Sequence, residues 1–266
     1  MATTNTTTTL IDDLVRISLD AGAEIMRIYD GQIEVRTKDD TSPVTDADEA
    51  AEKVILAGLA KAVPDIPVVA EESVAAGNIP DISGGRFFLV DPLDGTKEFI
   101  SRNGEFTVNI ALVEQGVPVA GVVYAPAIGA LYAGDQSGAF IQHQQTDGSW
   151  GSRNAITIRP APAEGLTVVA SRSHRSPETD DFIAQYNVAD IRSAGSSLKL
   201  CLVAAGDADL YPRLGRTMEW DIAAGHAVLR AAGGSVSLLD GQPFTYGKPE
   251  FENPFFVAAG NVDPES

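Results

Sequence analysis

The chain is short of cysteine, of positive charge and of long apolar runs. One cysteine, Cys201, excludes an internal disulfide and fits a reducing compartment, so a cytoplasmic setting is the expectation. Only 19 Lys and Arg stand against 37 Asp and Glu, a net charge of −18. That balance argues against a surface that coats nucleic acid or adheres to anionic membrane. A small anionic ligand would need metal ions or a local basic cluster. No apolar run reaches the roughly 20 residues of a membrane span. The threonine-rich start, Met1 to Thr9, has neither a basic segment nor an apolar centre, so it is no secretory signal or anchor and reads as a disordered tail. The three histidines, His143, His174 and His226, are scattered and lack the spacing of a transition-metal site. His143 reads as surface and His226 as helix packing.

What is present is enough for a substantial core: 266 residues, 44% of them hydrophobic, the profile of a globular protein. Apolar residues at helical spacing predict a helix over about 10–30, ended by Gly31, and a second running to about Val63 with Thr45 or Asp46 as its cap. Short strands follow at Ile66–Ala70 and Phe87–Val90, then at Phe106–Val113, Gly121–Ala125, Ala130–Ala133, Ala139–Gln142 and Ile156–Arg159, an antiparallel meander. Pro160-Ala161-Pro162-Ala163 reads as a linker. Beyond it, strand and helix alternate: strands at 167–170, 208–211 and 236–239, helices at 177–186, 196–205 and 221–232. The expected organisation is a tail (1–9), an N-terminal α+β metal-binding half (10–160) and a C-terminal α/β substrate-binding half (161–266), layered α/β/α/β/α. Sites in such architectures lie at strand ends and junctions.

The chemistry concentrates in Asp91-Pro92-Leu93-Asp94-Gly95-Thr96-Lys97-Glu98-Phe99, after the apolar run Phe87-Phe88-Leu89-Val90. Pro92 stiffens the bend, and Gly95 allows a ligand close to its backbone. Asp-Gly alone is a common turn pair. The whole string, two carboxylates with a carbonyl and a hydroxyl, suits a hard cation such as Mg²⁺. A second strand runs into Glu71-Glu72-Ser73, and Asp221 opens the helix of Trp220-Asp221-Ile222-Ala223-Ala224-Gly225. Taken by itself, Asp221 reads as a first-turn acid beside the helix dipole, and the acids of Thr45-Asp46-Ala47-Asp48 as capping residues. If four carboxylates converge, each pair about 5 Å apart costs about 3 kcal/mol at an effective dielectric of 20, so cations must accompany them. Two Mg²⁺ would balance four such charges and suit in-line displacement at phosphorus.

These three segments together resemble the lithium-sensitive inositol monophosphatase superfamily. Its CysQ-type 3′(2′),5′-bisphosphate nucleotidase branch is matched further by Lys97-Glu98-Phe99, Arg102-Asn103-Gly104-Glu105-Phe106-Thr107-Val108-Asn109, Ser171-Arg172-Ser173-His174, Gly195-Ser196-Ser197-Leu198-Lys199, Leu210-Tyr211-Pro212-Arg213 and Asn253-Pro254. The likeness spans about residues 10–258. It implies a sugar-phosphatase-like sandwich and a Mg²⁺-dependent enzyme of sulfate assimilation that converts adenosine 3′,5′-bisphosphate to AMP and phosphate.

Carried over by position, Glu71, Asp91 and the Leu93 carbonyl hold one metal, and Asp91, Asp94 and Asp221 the second. The resemblance makes Asp48 and Thr96 the dyad that takes the proton of the attacking water, displacing the capping reading of Asp48, with Glu71 beside them. It has Gly95 and Thr96 offer backbone N–H groups to the phosphate, and Ser171, His174, Ser196, Lys199 and Arg213 contact the nucleotide. Lys38 and Asp40 match a loop that covers the site in relatives and brings a third metal in some. Lys97, Arg172, Lys199 and Arg213 would supply the local positive field. Asp46 departs from many relatives by adding a charge near the site. An inositol-1-phosphate or related sugar phosphatase is the rival within the superfamily; a silent phosphate-binding protein is the rival outside it. Monomer and homodimer both fit.

Overall fold

The computed structural model describes residues 9–31, 35–37, 43–171 and 176–262. Helices α1 (Leu10–Tyr29) and α2 (Asp46–Ala62) pack side by side. Thr9, expected in the tail, is instead the cap of α1: its N–H and its hydroxyl both donate to Asp12 Oδ2, at 3.2 and 2.6 Å. A Thr followed three residues later by an acid satisfies the helix start reciprocally, and the pattern recurs at α2 with Thr45 and Asp48. Between the helices, β1 (Val35–Thr37) and β2 (Pro43–Thr45) pair as an antiparallel ribbon.

The first sheet has seven strands in sequence order: β3 (Val68–Ala70), β4 (Arg86–Asp94), β5 (Thr107–Glu114), β6 (Val117–Ala125), β7 (Ala130–Asp135), β8 (Gly138–His143) and β9 (Asn154–Ile156). All neighbours are antiparallel except β3 and β4. The short helix α3 (Glu71–Ala75), unexpected from sequence, lies on the crossover between that parallel pair, and α4 (Thr96–Ile100) separates β4 from β5. β9 sits earlier than the expected 156–159, because Ile158 donates instead to the Ala232 carbonyl and Arg159 pairs with buried Asp209 at 2.7 Å.

The second sheet, ordered β11-β10-β12-β14-β13, comprises β10 (Leu166–Ser171), β11 (Val188–Ala194), β12 (Leu210–Arg213), β13 (Ser235–Leu238) and β14 (Phe256–Ala259). Helices α5 (Pro177–Ile183), α6 (Leu198–Ala204) and α7 (Glu219–Ala231) connect them. β10 pairs in parallel with β11 and β12, whereas β14 runs antiparallel to β12 and β13.

Three clusters of buried side chains define five layers. Phe88, Val90, Ile110 and Val122 face α1 and α2. Phe87, Leu89, Val113 and Val123 face the opposite way, toward α6, α7 and the second sheet. Leu166, Val168 and Val257 pack with Ile183 of α5 on the far side. The strand at Phe87–Val90 is therefore a continuous apolar run because it is buried on both faces. α7 lies almost against the first sheet: a Cβ at Gly121 would stand 2.6 Å from the Ala224 carbonyl oxygen and 2.8 Å from Ala227 Cβ. No helix among the described residues is long and apolar enough to cross a membrane.

Candidate active site

The end of β4 differs from the sequence expectation in an instructive way. The strand does not stop at Val90 but continues to Asp94, with a register slip: Asp91 pairs with Asn109, and Asp94 with Thr107. Three steps on β4 oppose two on β5, so Pro92 and Leu93 form a bulge, where a residue without an N–H is tolerated. The extra residue re-aims Asp94. Gly95 then takes a left-handed conformation, φ +89°, which glycine adopts without strain, and caps α4.

One cavity gathers Glu71, Asp94 and Asp221 with Gly95, Thr96 and Lys97. Ser196, Lys199 and Arg213 line it from the second half. Asp91 and Leu93 are buried behind it; the Asp91 carboxylate accepts from the Leu93 N–H at 3.0 Å, and the Leu93 carbonyl receives the Thr96 hydroxyl at 3.5 Å. Lys38, Asp40 and His174 lie outside the described residues, as does the side chain of Ser171, whose backbone ends β10. Arg172 lies outside them too.

Sequence reasoning set two readings of Asp48 against each other, and its hydrogen bonds reach the groups that each reading names. Its Oδ2 accepts from the N–H and hydroxyl of Thr45, at 2.8 and 2.7 Å, closing the capping box of α2. Its Oδ1 accepts from the Thr96 hydroxyl at 3.3 Å. The capping reading therefore stands, and the same carboxylate also meets the Thr96 hydroxyl. Asp46, by contrast, points to Arg36 at 2.7 Å and does not line the cavity. Asp221, three residues beyond the cap position Met218, accepts from the Met218 N–H at 2.8 Å.

The electrostatics of the acids follow from burial. Burial raises the Asp94 carboxyl to about 6; Lys199 opposes this, while Glu71 and Glu98 reinforce it. Asp221 is raised well above the usual carboxylate range by burial first, then by Asp94 and Glu71. The Lys199 ammonium is drawn down to about 8 by burial, with Asp94 resisting. Its Nζ donates to the Ser196 carbonyl at 2.5 Å and lies 5.5 Å from the Tyr211 ring centre. Ser196 has φ +40°. Its hydroxyl and the Nε of Arg213 are buried without a hydrogen-bond partner among the described groups.

Among the described residues, no three carboxylate, imidazole or thiol side chains stand close enough to hold a metal as they are. Glu71, Asp94 and Asp221 share the cavity at a distance, as like charges do. Their chemistry nonetheless fits a hard divalent cation: the donors are oxygen only, and no described imidazole or thiol lines the cavity.

Sequence reasoning missed several supporting residues. Glu52, buried in α2, accepts from the Glu72 N–H at 2.8 Å and the Ser73 hydroxyl at 2.6 Å, fixing the turn that carries Glu71. Glu105 accepts from the Gly195 N–H at 2.8 Å and ties the two halves beside the cavity. A mid-helix acid gives no local signal of such a role; Glu105 at least lay within a matched segment.

A profile of the inositol monophosphatase family matches residues 7–254. The 3′(2′),5′-bisphosphate nucleotidase CysQ of Escherichia coli K12 is 46% identical over 250 residues, 93% of this chain and 98% of that protein. The crystal structure of CysQ from Bacteroides thetaiotaomicron matches with a TM-score of 0.78 at 38% identity, covering 97% of this chain and 99% of that one. An inositol monophosphatase from Anabaena matches with a TM-score of 0.71 at 26% identity, covering 94% and 90%.

Proposed function

The chain belongs to the inositol monophosphatase family, and on that premise we propose that it is a 3′(2′),5′-bisphosphate nucleotidase. It hydrolyses adenosine 3′,5′-bisphosphate to AMP and phosphate. The observation that carries this reading is the mixed charge of the cavity: Glu71, Asp94 and Asp221 line it together with Lys199 and Arg213. A substrate with two phosphates needs both kinds of group, acids to hold cations at the phosphorus that reacts and bases for the charge that does not. In a chain of net charge −18 local basic side chains are also the means of admitting a polyanion.

The proposed cofactor is Mg²⁺, two ions, held by Glu71, Asp91, the Leu93 carbonyl, Asp94 and Asp221. When bound, such ions lower the pKa of water and neutralise charge on the phosphoryl oxygens. The chain's own part is positional. Thr96, hydrogen-bonded to Asp48, directs its hydroxyl lone pairs at an incoming water, and the released proton passes by way of Thr96 toward Asp48. Water attacks phosphorus, the P–O3′ bond breaks with its electron pair on the ribose oxygen, which takes a proton from solvent water, and Asp48 then releases its own proton to solvent. Gly95 and Thr96, at the start of α4, present backbone to the phosphate. A role in sulfate assimilation and a cytoplasmic setting belong to the same proposal.

The test is phosphate release from adenosine 3′,5′-bisphosphate and from inositol 1-phosphate, side by side, with purified protein and Mg²⁺. A clear preference for the bisphosphate is expected. A preference for inositol 1-phosphate would transfer the assignment to the sugar phosphatases, the rival that the likeness to the Anabaena enzyme favours.

A further inference from the structure

A buried polar chain crosses from the first sheet to α7 and touches two of the elements that carry cavity acids. The Thr107 hydroxyl donates to Asn109 Oδ1 at 3.0 Å. The Thr107 hydroxyl could donate or accept, but the Asp94 carboxylate only accepts, so the amide nitrogen lies on the Asp94 side and the carbonyl end meets the Thr107 proton. The amide nitrogen is thereby turned toward Ser197 Oγ, at 2.9 Å, and toward Asp94 Oδ2, at the longer distance of 3.5 Å. The Ser197 hydroxyl, accepting from Asn109, donates in turn to the backbone carbonyl of Asp221. Thr107, Asn109 and Ser197 are all buried. Each hydrogen thus has one consistent direction, from β5 through the residue before α6 to the first turn of α7.

From this geometry we infer that Thr107, Asn109 and Ser197 are positioning residues that set the spacing of Asp94 and Asp221, and through it the affinity of the cavity for a divalent cation. Asp94 and Asp221 belong to different halves of the chain and repel each other. An apolar contact could hold β5 against α6 equally well, whereas a buried polar chain has only one arrangement in which every member is satisfied. Asn109 answers the Asp94 carboxylate directly, and Ser197 restrains the backbone of Asp221. Neither need touch the substrate. Partners that orient the groups around a metal govern its affinity strongly even from outside the coordination shell. The inference rests on the cation-dependent reading of the cavity proposed above.

The test measures Mg²⁺ binding to the purified protein without substrate, by titration calorimetry, beside the thermal midpoint of the cation-free protein. Ser197→Ala should weaken Mg²⁺ binding by about tenfold or more, while Ser197→Thr, which keeps the hydroxyl, stays within about twofold of the parent. Thr107→Val, which leaves Asn109 Oδ1 without its donor and so loosens the amide, should also weaken binding, and it serves in place of Ser197→Ala should that variant not fold. In an Asp94→Asn background, Ser197→Ala should add much less than it does alone. Parent-like affinity in a folded Ser197→Ala or Thr107→Val protein overturns the inference, even if the thermal midpoint falls, because the chain would then serve folding only. A parent protein that binds no Mg²⁺ overturns the cation-dependent reading itself, and this inference with it.

Discussion

The Thr96 hydroxyl donates to Asp48 Oδ1 across 3.3 Å while the other oxygen of that carboxylate closes the start of its own helix through Thr45. One side chain thus fixes both a helix terminus and the group beside the cavity. A capping carboxylate is held without freedom to rotate, which a proton acceptor requires if its reach is fixed.

The two roles should separate by mutation. Asp48→Asn is expected to lower kcat by about 10²-fold or more, the usual scale of a lost general base. Thr45→Ala should cost about 1 kcal/mol of stability as a lost cap and leave kcat far closer to the parent's. Denaturant unfolding and steady-state kinetics on both variants check this. Comparable kcat losses in the two would mean that Asp48 acts mainly through the helix.

Asp94→Asn carries a different signature. Its carboxyl is buried among Glu71, Glu98 and Asp221, with Lys199 as its cationic neighbour. Replacing it removes repulsion, so the protein without added cation should melt no lower and preferably higher than the parent. Activity should fall by at least about 10²-fold, as on removal of a key electrostatic element. Near-normal turnover at saturating Mg²⁺ would remove Asp94 from the proposed ligand set.

The sequence made the layers legible because burial on both faces leaves a readable trace, as in Phe87–Val90. It hid β11, most of whose residues are exposed, so that Val188–Ala194 shows no alternation. It hid β14 as well, since Phe256–Ala259 is only four residues and follows Asn253-Pro254, which reads as a terminal motif. Within the site, residue types at strand ends pointed to Glu71 and Asp94, whereas Asp221 read locally as a first-turn acid of its helix and joined them through the resemblance. The bulge at Pro92–Leu93 was not legible, since it depends on register against β5. Glu52 was not either, because its partners lie 20 and 21 residues away. Asp48 could be read locally as a cap or through resemblance as a base; only the three-dimensional arrangement shows two oxygens facing two hydroxyls.

His226 should make the fold acid-sensitive. It is buried in α7 with Nδ1 2.9 Å from the Tyr246 hydroxyl. Burial, aided by Arg230, lowers its pKa to about 3. The unfolded chain, with a pKa near 6.5, takes up the proton first. Its contribution is therefore fully present above about pH 6.5 and is lost as the pH falls toward 3, about 2 kcal/mol by pH 5. His226→Gln should show a smaller drop in stability between pH 7 and pH 5 than the parent, read from denaturant midpoints at both values. Parallel losses would place the acid sensitivity in other groups.

Lys199 offers the sharpest discrimination between substrates. The ammonium is buried, donates to the Ser196 carbonyl at 2.5 Å and belongs to the lining of the cavity beside Asp94. It can therefore serve the loop, the nucleotide or both. If it answers the charge of adenosine 3′,5′-bisphosphate that lies away from the reacting phosphorus, its loss removes binding that inositol 1-phosphate never used. Lys199→Met keeps most of the side-chain length and volume, so the packing against Tyr211 suffers least. This variant should lower kcat/KM for the bisphosphate by about 1.5–3 kcal/mol, the range of a charge-assisted hydrogen bond. The loss on inositol 1-phosphate should be much smaller, and it sets the share that belongs to the loop. The ratio of the two losses is the quantity to measure, because a change in folded fraction cancels from it. Equal losses would assign Lys199 to the shared phosphate or to Ser196 alone, and the second phosphate would then have to be read by Arg213.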